Sequence, residues 1–145
     1  MMIVKLRHFG IVVKDINNSL RFYIDLLGLK VFADNIETGY FIDSILGLTK
    51  TEVRTVKIGV SKDTTLLELL EFKSHNNQEN TKKMIYDLGP RHVAIEVENI
   101  DLTYELLLKN NIRFISAPRI SPDGNAKVAF CYDIDMNYIE IVEII

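Results

Sequence analysis

The sequence has a single cysteine and no long run of basic or apolar residues. Cys131 stands alone, which excludes an intrachain disulfide and a cysteine-based metal site. No basic run exceeds Lys82-Lys83, and 17 basic residues face 20 acidic ones, so nucleic acid and anionic membranes are poor partners. Lys5 and Arg7 interrupt the apolar N-terminal stretch, and no apolar run reaches ~18 residues. We therefore expect no signal peptide and no membrane span, and a cytoplasmic protein.

The sequence contains an internal repeat. Its 145 residues are 48% hydrophobic and 26% charged, which is ordinary for a folded domain. Residues 7–16 return as residues 91–100, with Arg-His and the apolar positions kept at a constant offset of 84 (8 to 92). The endings, residues 67–72 and 139–144, match as well. Such self-similarity indicates two copies of one supersecondary unit, and we expect the function to lie where the copies meet.

Each copy has the pattern of a strand, a helix and three strands, βαβββ. We expect a first module over residues 1–73, a polar connector over 74–90 and a second module over 91–145. The apolar spacing within residues 36–51 predicts an inserted short helix or lid. The predicted strands are 4–13, 29–33, 53–60, 65–72, 91–97, 112–116, 128–132 and 138–144, with helices at about 20–27, 81–88 and 101–109 and a loop at 118–125.

Four polar residues inside apolar strands are the candidate functional residues: His8, Glu68, His92 and Glu140. Side chains alternate between the faces of a strand, so each lies on a face with small or apolar neighbours. A carboxylate there is costly unless it is paired or bound to a cation. Singly, each would be read as an ordinary core, edge or surface residue. Together, at matching positions of a repeat, two imidazoles and two carboxylates favour a divalent ion such as Zn, Ni, Co or Fe.

Other acids in these strands have less specific patterns. Glu71 and Glu143 lie on the opposite face by alternation, and we expect a solvated edge. Glu96 shares the face of His92, and either a partner of the site or an exposed residue fits it. His75, in the polar connector, is expected to be a plain surface residue.

Four segments that cover nearly the whole length carry a resemblance to a known family: the opening strand His8-Phe9-Gly10-Ile11-Val12-Val13 with Asp15, the "FY…vLG" helix from Ser19 to Leu29, the second histidine strand from Arg91 to Val97, and the "DPDGxxIE"-like segment from Asp133 to Glu140. In these segments the chain resembles the vicinal oxygen chelate superfamily, also called the glyoxalase, bleomycin-resistance and extradiol-dioxygenase fold. Ile134 and Met136 stand where the family's closing segment has Pro and Gly.

The resemblance implies an α+β fold in which two tandem βαβββ modules form a curved mixed sheet around a metal-centred cleft. The family's metal ligands fall on His8, Glu68, His92 and Glu140. Members often form homodimers, and in some the modules pair between chains. The four ligands could therefore come from one subunit or from two.

The complete His-Glu-His-Glu set is similar to that of glyoxalase I (lactoylglutathione lyase) and methylmalonyl-CoA epimerase. It implies a metal-dependent lyase or isomerase with a small-molecule substrate, using Ni, Zn, Co, Mn or Fe to stabilise the enediolate formed by proton abstraction next to a carbonyl. Glu140, and by pseudo-symmetry Glu68, would act as base and then acid. Residues 31–51 do not resemble the corresponding stretch of glutathione-using glyoxalases. An Fe(II) extradiol-type dioxygenase and a non-catalytic binding or resistance protein remain alternatives.

Overall fold

The computed structural model describes residues 2–76 and 83–145. The chain divides into two compact units, Met1–Glu79 and Asn80–Ile145, and each contains one four-stranded mixed sheet and helical structure. The predicted α+β fold of two βαβββ modules is confirmed. The module bounds at residues 73 and 91, and a cleft shared by the modules, stay predictions.

The first unit places its first and last strands side by side. The strands are β1 (His8–Val12), β2 (Lys30–Thr38), β3 (Glu52–Gly59) and β4 (Leu66–Phe72). The sheet order is β1-β4-β3-β2, with β1 parallel to β4 and the other pairs antiparallel. The side chains of Val56, Ile58 and Leu69 are fully buried, and this face forms the core of the module.

The first helix begins at a side-chain cap, as the polar cluster predicts. Asp15 accepts hydrogen bonds from the backbone N–H of Asn17 (2.8 Å) and Asn18 (3.3 Å), which satisfies two of the free donors of the first turn. Helix α1 (Ile16–Leu20) continues as a π-helical segment over Arg21–Leu26. The segment is followed by Gly28, whose φ of 75° is readily adopted only by glycine.

The insertion between β2 and β3 contains the predicted short helix, α2 (Tyr40–Leu46). Ile42 of this helix is buried, whereas Phe41 and Ile45 are exposed. Strand β2 extends to Thr38, so the insertion is shorter than the sequence pattern indicated. Its role as a lid stays a prediction.

The second unit repeats the arrangement of the first. Its elements are β5 (His92–Glu96), α3 (Ile100–Lys109), β6 (Arg119–Ile120), β7 (Ala126–Tyr132) and β8 (Tyr138–Ile144). The sheet order is β5-β8-β7-β6, again with the first and last strands parallel. Asn99 caps α3 by accepting from the backbone N–H of Leu102 at 2.9 Å, at the position that corresponds to Asp15.

Three element predictions were wrong in part. The first strand begins at His8 and not at residue 4, because its parallel partner β4 begins only at Leu66, directly beside His8. Residues 112–116 form a single bridge, Phe114 to Cys131, and the two-residue strand β6 lies inside the predicted loop. Pro118, which has no N–H to donate, separates the two short contacts.

The helix predicted over residues 81–88 is also absent from its described part, residues 83–88; Thr81 and Lys82 lie outside the described residues. A turn forms instead, with Asp87 N–H donating to the Met84 carbonyl at 3.0 Å. The Asp87 carboxylate accepts from Met84 N–H, so the side chain competes with a helical hydrogen bond. In residues 2–76 and 83–145, no helix is long and apolar enough to cross a membrane.

Candidate metal centre

The first candidate pair forms between the parallel strands β1 and β4. Gly10 is the register partner of Glu68 and adds no side chain beside the carboxylate. His8 lies two residues earlier on the same face, and its Nε2 is 3.1 Å from Glu68 Oε2. The Glu68 side chain is only 13% exposed, so this carboxylate depends on its polar neighbours for compensation.

The second module repeats this pair between β5 and β8. Ala94, another small residue, is the register partner of Glu140. His92 Nε2 lies 3.2 Å from Glu140 Oε2, and the side chains are 43% and 22% exposed. The two modules therefore share not only the sequence repeat but also the contact between a histidine and a glutamate.

The two pairs differ in the neighbour that the adjacent strand supplies. In the first module Lys57 of β3 is the register partner of Glu68, and its Nζ lies 3.4 Å from Glu68 Oε1. In the second module Phe130 of β7 is the register partner of Glu140 and meets the His92 ring edge to face, with ring centroids 5.4 Å apart. One carboxylate thus has a cationic neighbour and the other an aromatic one.

The geometry of each pair fits two ligands of one divalent ion. Ligands on adjacent corners of an octahedral sphere, with bonds of ~2.1 Å, lie about 3 Å apart, close to the observed separations of 3.1 and 3.2 Å. Imidazole nitrogen with carboxylate oxygen is also a donor set that these ions accept. Within residues 2–76 and 83–145, no three metal-binding side chains form a group. Each module thus supplies two donors, and a four-ligand site stays a prediction.

Glu71 and Glu143 correct the prediction of a solvated edge. Glu71 is buried, accepts from Ile16 N–H at 3.3 Å and pairs with Lys73. Glu143 accepts from Ile100 N–H at 2.7 Å. The face by alternation was right, but the helix that follows each opening strand brings its N-terminal N–H groups to this face. A carboxylate there compensates the free donors and the positive end of the helix dipole.

The remaining candidates separate by exposure. Glu96 is exposed, whereas His75 is half-buried, with its Nδ1 2.8 Å from Ser74 Oγ and its ring against Phe72.

Lys57 is the residue near the candidate site that sequence reasoning missed. The hairpin register could have found it, because Lys57 and Glu68 are equidistant from the Ser61–Thr64 turn.

Comparisons with known proteins agree with the fold. The profile of the Glyoxalase/Bleomycin resistance protein/Dioxygenase superfamily matches residues 5–141. The chain is 27% identical over 146 residues to the uncharacterized protein YraH of Bacillus subtilis (strain 168), covering 98% of this chain and 100% of YraH.

Among solved structures, a glyoxalase family protein from Bacillus cereus superimposes with a TM-score of 0.89 at 18% identity, over 100% of this chain and 97% of that one. The trypanothione-dependent glyoxalase I of Leishmania major superimposes with a TM-score of 0.71 at 23% identity, over 97% and 86% of the two chains. The chain belongs to the Glyoxalase/Bleomycin resistance protein/Dioxygenase superfamily, which includes enzymes such as glyoxalase I. At these identities the structural likeness shows the fold alone.

Proposed function

We propose that this protein is a metal-dependent lyase or isomerase of the glyoxalase type, which moves a proton next to a carbonyl group of a small-molecule substrate. One observation carries the proposal. The same histidine–glutamate pair occurs in each module, with nitrogen and oxygen 3.1 and 3.2 Å apart and each carboxylate partly withdrawn from water.

His8, Glu68, His92 and Glu140 would hold the ion. When bound, a divalent ion supplies Lewis acidity that stabilises negative charge developing on a substrate oxygen. Glu140 accepts the proton from the carbon next to the carbonyl and returns it to the neighbouring position. The side chain of Glu140 is more exposed than that of Glu68 and has no lysine as its register partner, so Glu140 is more accessible to a substrate and we assign the role of base to it.

The wider setting of the proposal follows from composition and family. We expect a cytoplasmic homodimer that binds neither nucleic acid nor membranes, since the net charge is −3 and the chain has no long basic run. A small hemithioacetal or an acyl-CoA thioester would offer the proton next to a carbonyl that the chemistry requires.

The ion pair between Lys57 and Glu68 favours a second candidate function. If Glu68 stays with Lys57, the ligands left are His8, His92 and Glu140, two histidines and one carboxylate. That is the donor set of non-haem Fe(II) oxygenases. Oxygen consumption with iron would then replace the isomerase reaction.

Metal analysis followed by a substrate screen tests the proposal. The protein is purified without added metal, its metal content is measured, and Ni, Co, Zn or Mn is restored before assay on hemithioacetals and acyl-CoA epimers. We expect activity under anaerobic conditions that depends on the added ion. Activity only with iron and oxygen would support the dioxygenase, whereas tight ligand binding without metal or turnover would support a binding protein.

The substitution Glu140→Gln is the sharpest variant. It keeps the size of the side chain but removes the basic carboxylate, so we expect turnover to fall by at least ~10²-fold while some metal remains bound. Glu98→Gln, at an exposed acid of the same module, serves as the matched control. Full activity of Glu140→Gln would refute the assignment.

A further inference from the structure

Lys57 is the one lysine in the described residues that pairs with a candidate metal ligand. Its Nζ lies 3.4 Å from Glu68 Oε1, while His8 Nε2 lies 3.1 Å from the other oxygen, Oε2. The two groups therefore share one carboxylate, and only one of them is a metal ligand by type.

The pairing register of β3 and β4 places Lys57 and Glu68 next to each other. Lys57 and Glu68 are direct antiparallel partners on β3 and β4, so their side chains leave the same face side by side. The Lys57 side chain is 29% exposed and that of Glu68 13% exposed, which places the pair between a surface and a buried salt bridge. An ammonium group in this position stabilises the carboxylate when no other cation is present.

The second module offers a natural comparison because it lacks this cation. Phe130 takes the corresponding place beside Glu140 and packs against the His92 ring. A metal ion that approaches Glu140 finds an apolar neighbour there, whereas an ion that approaches Glu68 meets the positive charge of Lys57. Like charges a few ångströms apart near a protein surface repel appreciably, although solvent weakens the effect.

We propose that Lys57 is an internal competitor for metal: its ammonium group holds Glu68 and lowers the affinity of the first histidine–glutamate pair for divalent ions. This regulation of the site rests on the proposed metal-dependent function. The consequence is a protein that binds its ion less tightly than four such ligands otherwise would, with Glu140 and His92 as the stronger half of the site.

Titration with Ni²⁺ and Zn²⁺ against a chromophoric chelator tests the proposal on the full chain. Lys57→Met keeps the aliphatic stem and removes the charge, and we expect its Kd to be ~10-fold lower than that of the wild type. Lys57→Arg keeps the charge and should keep the weaker binding. Lys73→Met is the matched control, because it removes a lysine that pairs with Glu71 on the other face of β4.

The double variant Lys57→Met/Glu68→Gln, compared with Glu68→Gln alone, shows whether the effect of Lys57 depends on the carboxylate. If it does, Lys57→Met should improve the Kd much less in the Glu68→Gln background than in the wild type. A Kd for Lys57→Met within twofold of the wild type, or a gain of undiminished size in the Glu68→Gln background, overturns the inference and leaves the proposed function standing. No metal binding by any of the proteins overturns the proposed function itself. If Lys57→Met does not fold, Lys57→Gln replaces it under the same criteria, with circular dichroism as the check on folding.

Discussion

Met136 adopts a backbone conformation that glycine tolerates better. Its φ is 66°, in the turn between β7 and β8 where Met136 N–H donates to the Asp133 carbonyl at 3.1 Å. A Cβ atom in this region costs about 1–2 kcal/mol, and the turn is kept by Asp133, which accepts from the N–H groups of Asp135 and Asn137. The turn that precedes Glu140 is therefore formed at the expense of local strain.

Replacing Met136 by glycine should relieve that strain. We expect Met136→Gly to raise the free energy of unfolding by about 0.5–1 kcal/mol, because the exposed methionine side chain contributes little burial and the gain is partly offset by a freer unfolded chain. Urea unfolding measures the change. Met136→Ala, which keeps the Cβ atom, should show no gain; a loss of stability in the glycine variant would contradict the interpretation.

Cys131 is predicted to be an unreactive thiol in the folded protein. It is fully buried on β7, and burial, aided by the negative charge of Asp133, raises its pKa to about 12. Because the thiolate is the reactive form, we expect a colorimetric disulfide reagent at pH 8 to modify Cys131 only as fast as the protein unfolds. Rapid modification without denaturant would contradict this.

The same pKa shift has a consequence for stability at high pH. The unfolded chain releases the thiol proton near pH 9, whereas the folded chain keeps it until about pH 12, so the wild type loses stability over this window. Cys131→Ala removes the effect. The stability difference between wild type and Cys131→Ala, measured by urea unfolding from pH 8 to pH 10.5, should therefore shift in favour of the variant as the pH rises; a constant difference would refute the shift.

At the level of elements, a glutamate of the closing strand of each module joins that strand to the start of the module's first helix. Glu71 accepts from Ile16 N–H and Glu143 from Ile100 N–H, so both modules use the same connection. We expect Glu143→Ala to lower the free energy of unfolding by about 1–2 kcal/mol, since a free N–H at the helix start loses a charged acceptor. Glu143→Gln, which keeps an acceptor without the charge, should lose less. Equal losses, measured by urea unfolding, would argue against a role of the charge.

The features that depend on strand periodicity could be predicted from the sequence. The faces of His8, Glu68, His92 and Glu140 follow from alternation and the repeat, and the contacts within each pair agree with them. Alternation does not say what covers a face, which explains the wrong prediction for Glu71 and Glu143. It also cannot set the length of an edge strand, because that depends on where the partner strand begins.

At the level of the whole molecule, the duplication gives each module one histidine–glutamate pair, which offers two donor groups. Two donors hold a divalent ion weakly, whereas three or four hold it well. The proposed function requires both pairs to bind one ion, within one chain or between two, and substitution of the histidines tests this requirement.

Thermal unfolding with and without Ni²⁺ or Zn²⁺ tests whether one ion uses ligands from both modules. At ~100 times the Kd, an ion bound only to the folded state adds about 2.7 kcal/mol of stability and raises the Tm. If one ion needs ligands from both modules, His8→Ala and His92→Ala should each remove well over half of the increase, because each variant weakens the single shared site. At a fixed ion concentration, a ~100-fold rise in Kd leaves only about 0.4 kcal/mol. Two separate sites would instead leave roughly half of the increase in each single variant and abolish it only in the double variant. His75→Ala, at a histidine outside the candidate pairs, should keep the full increase and shows that the loss is specific.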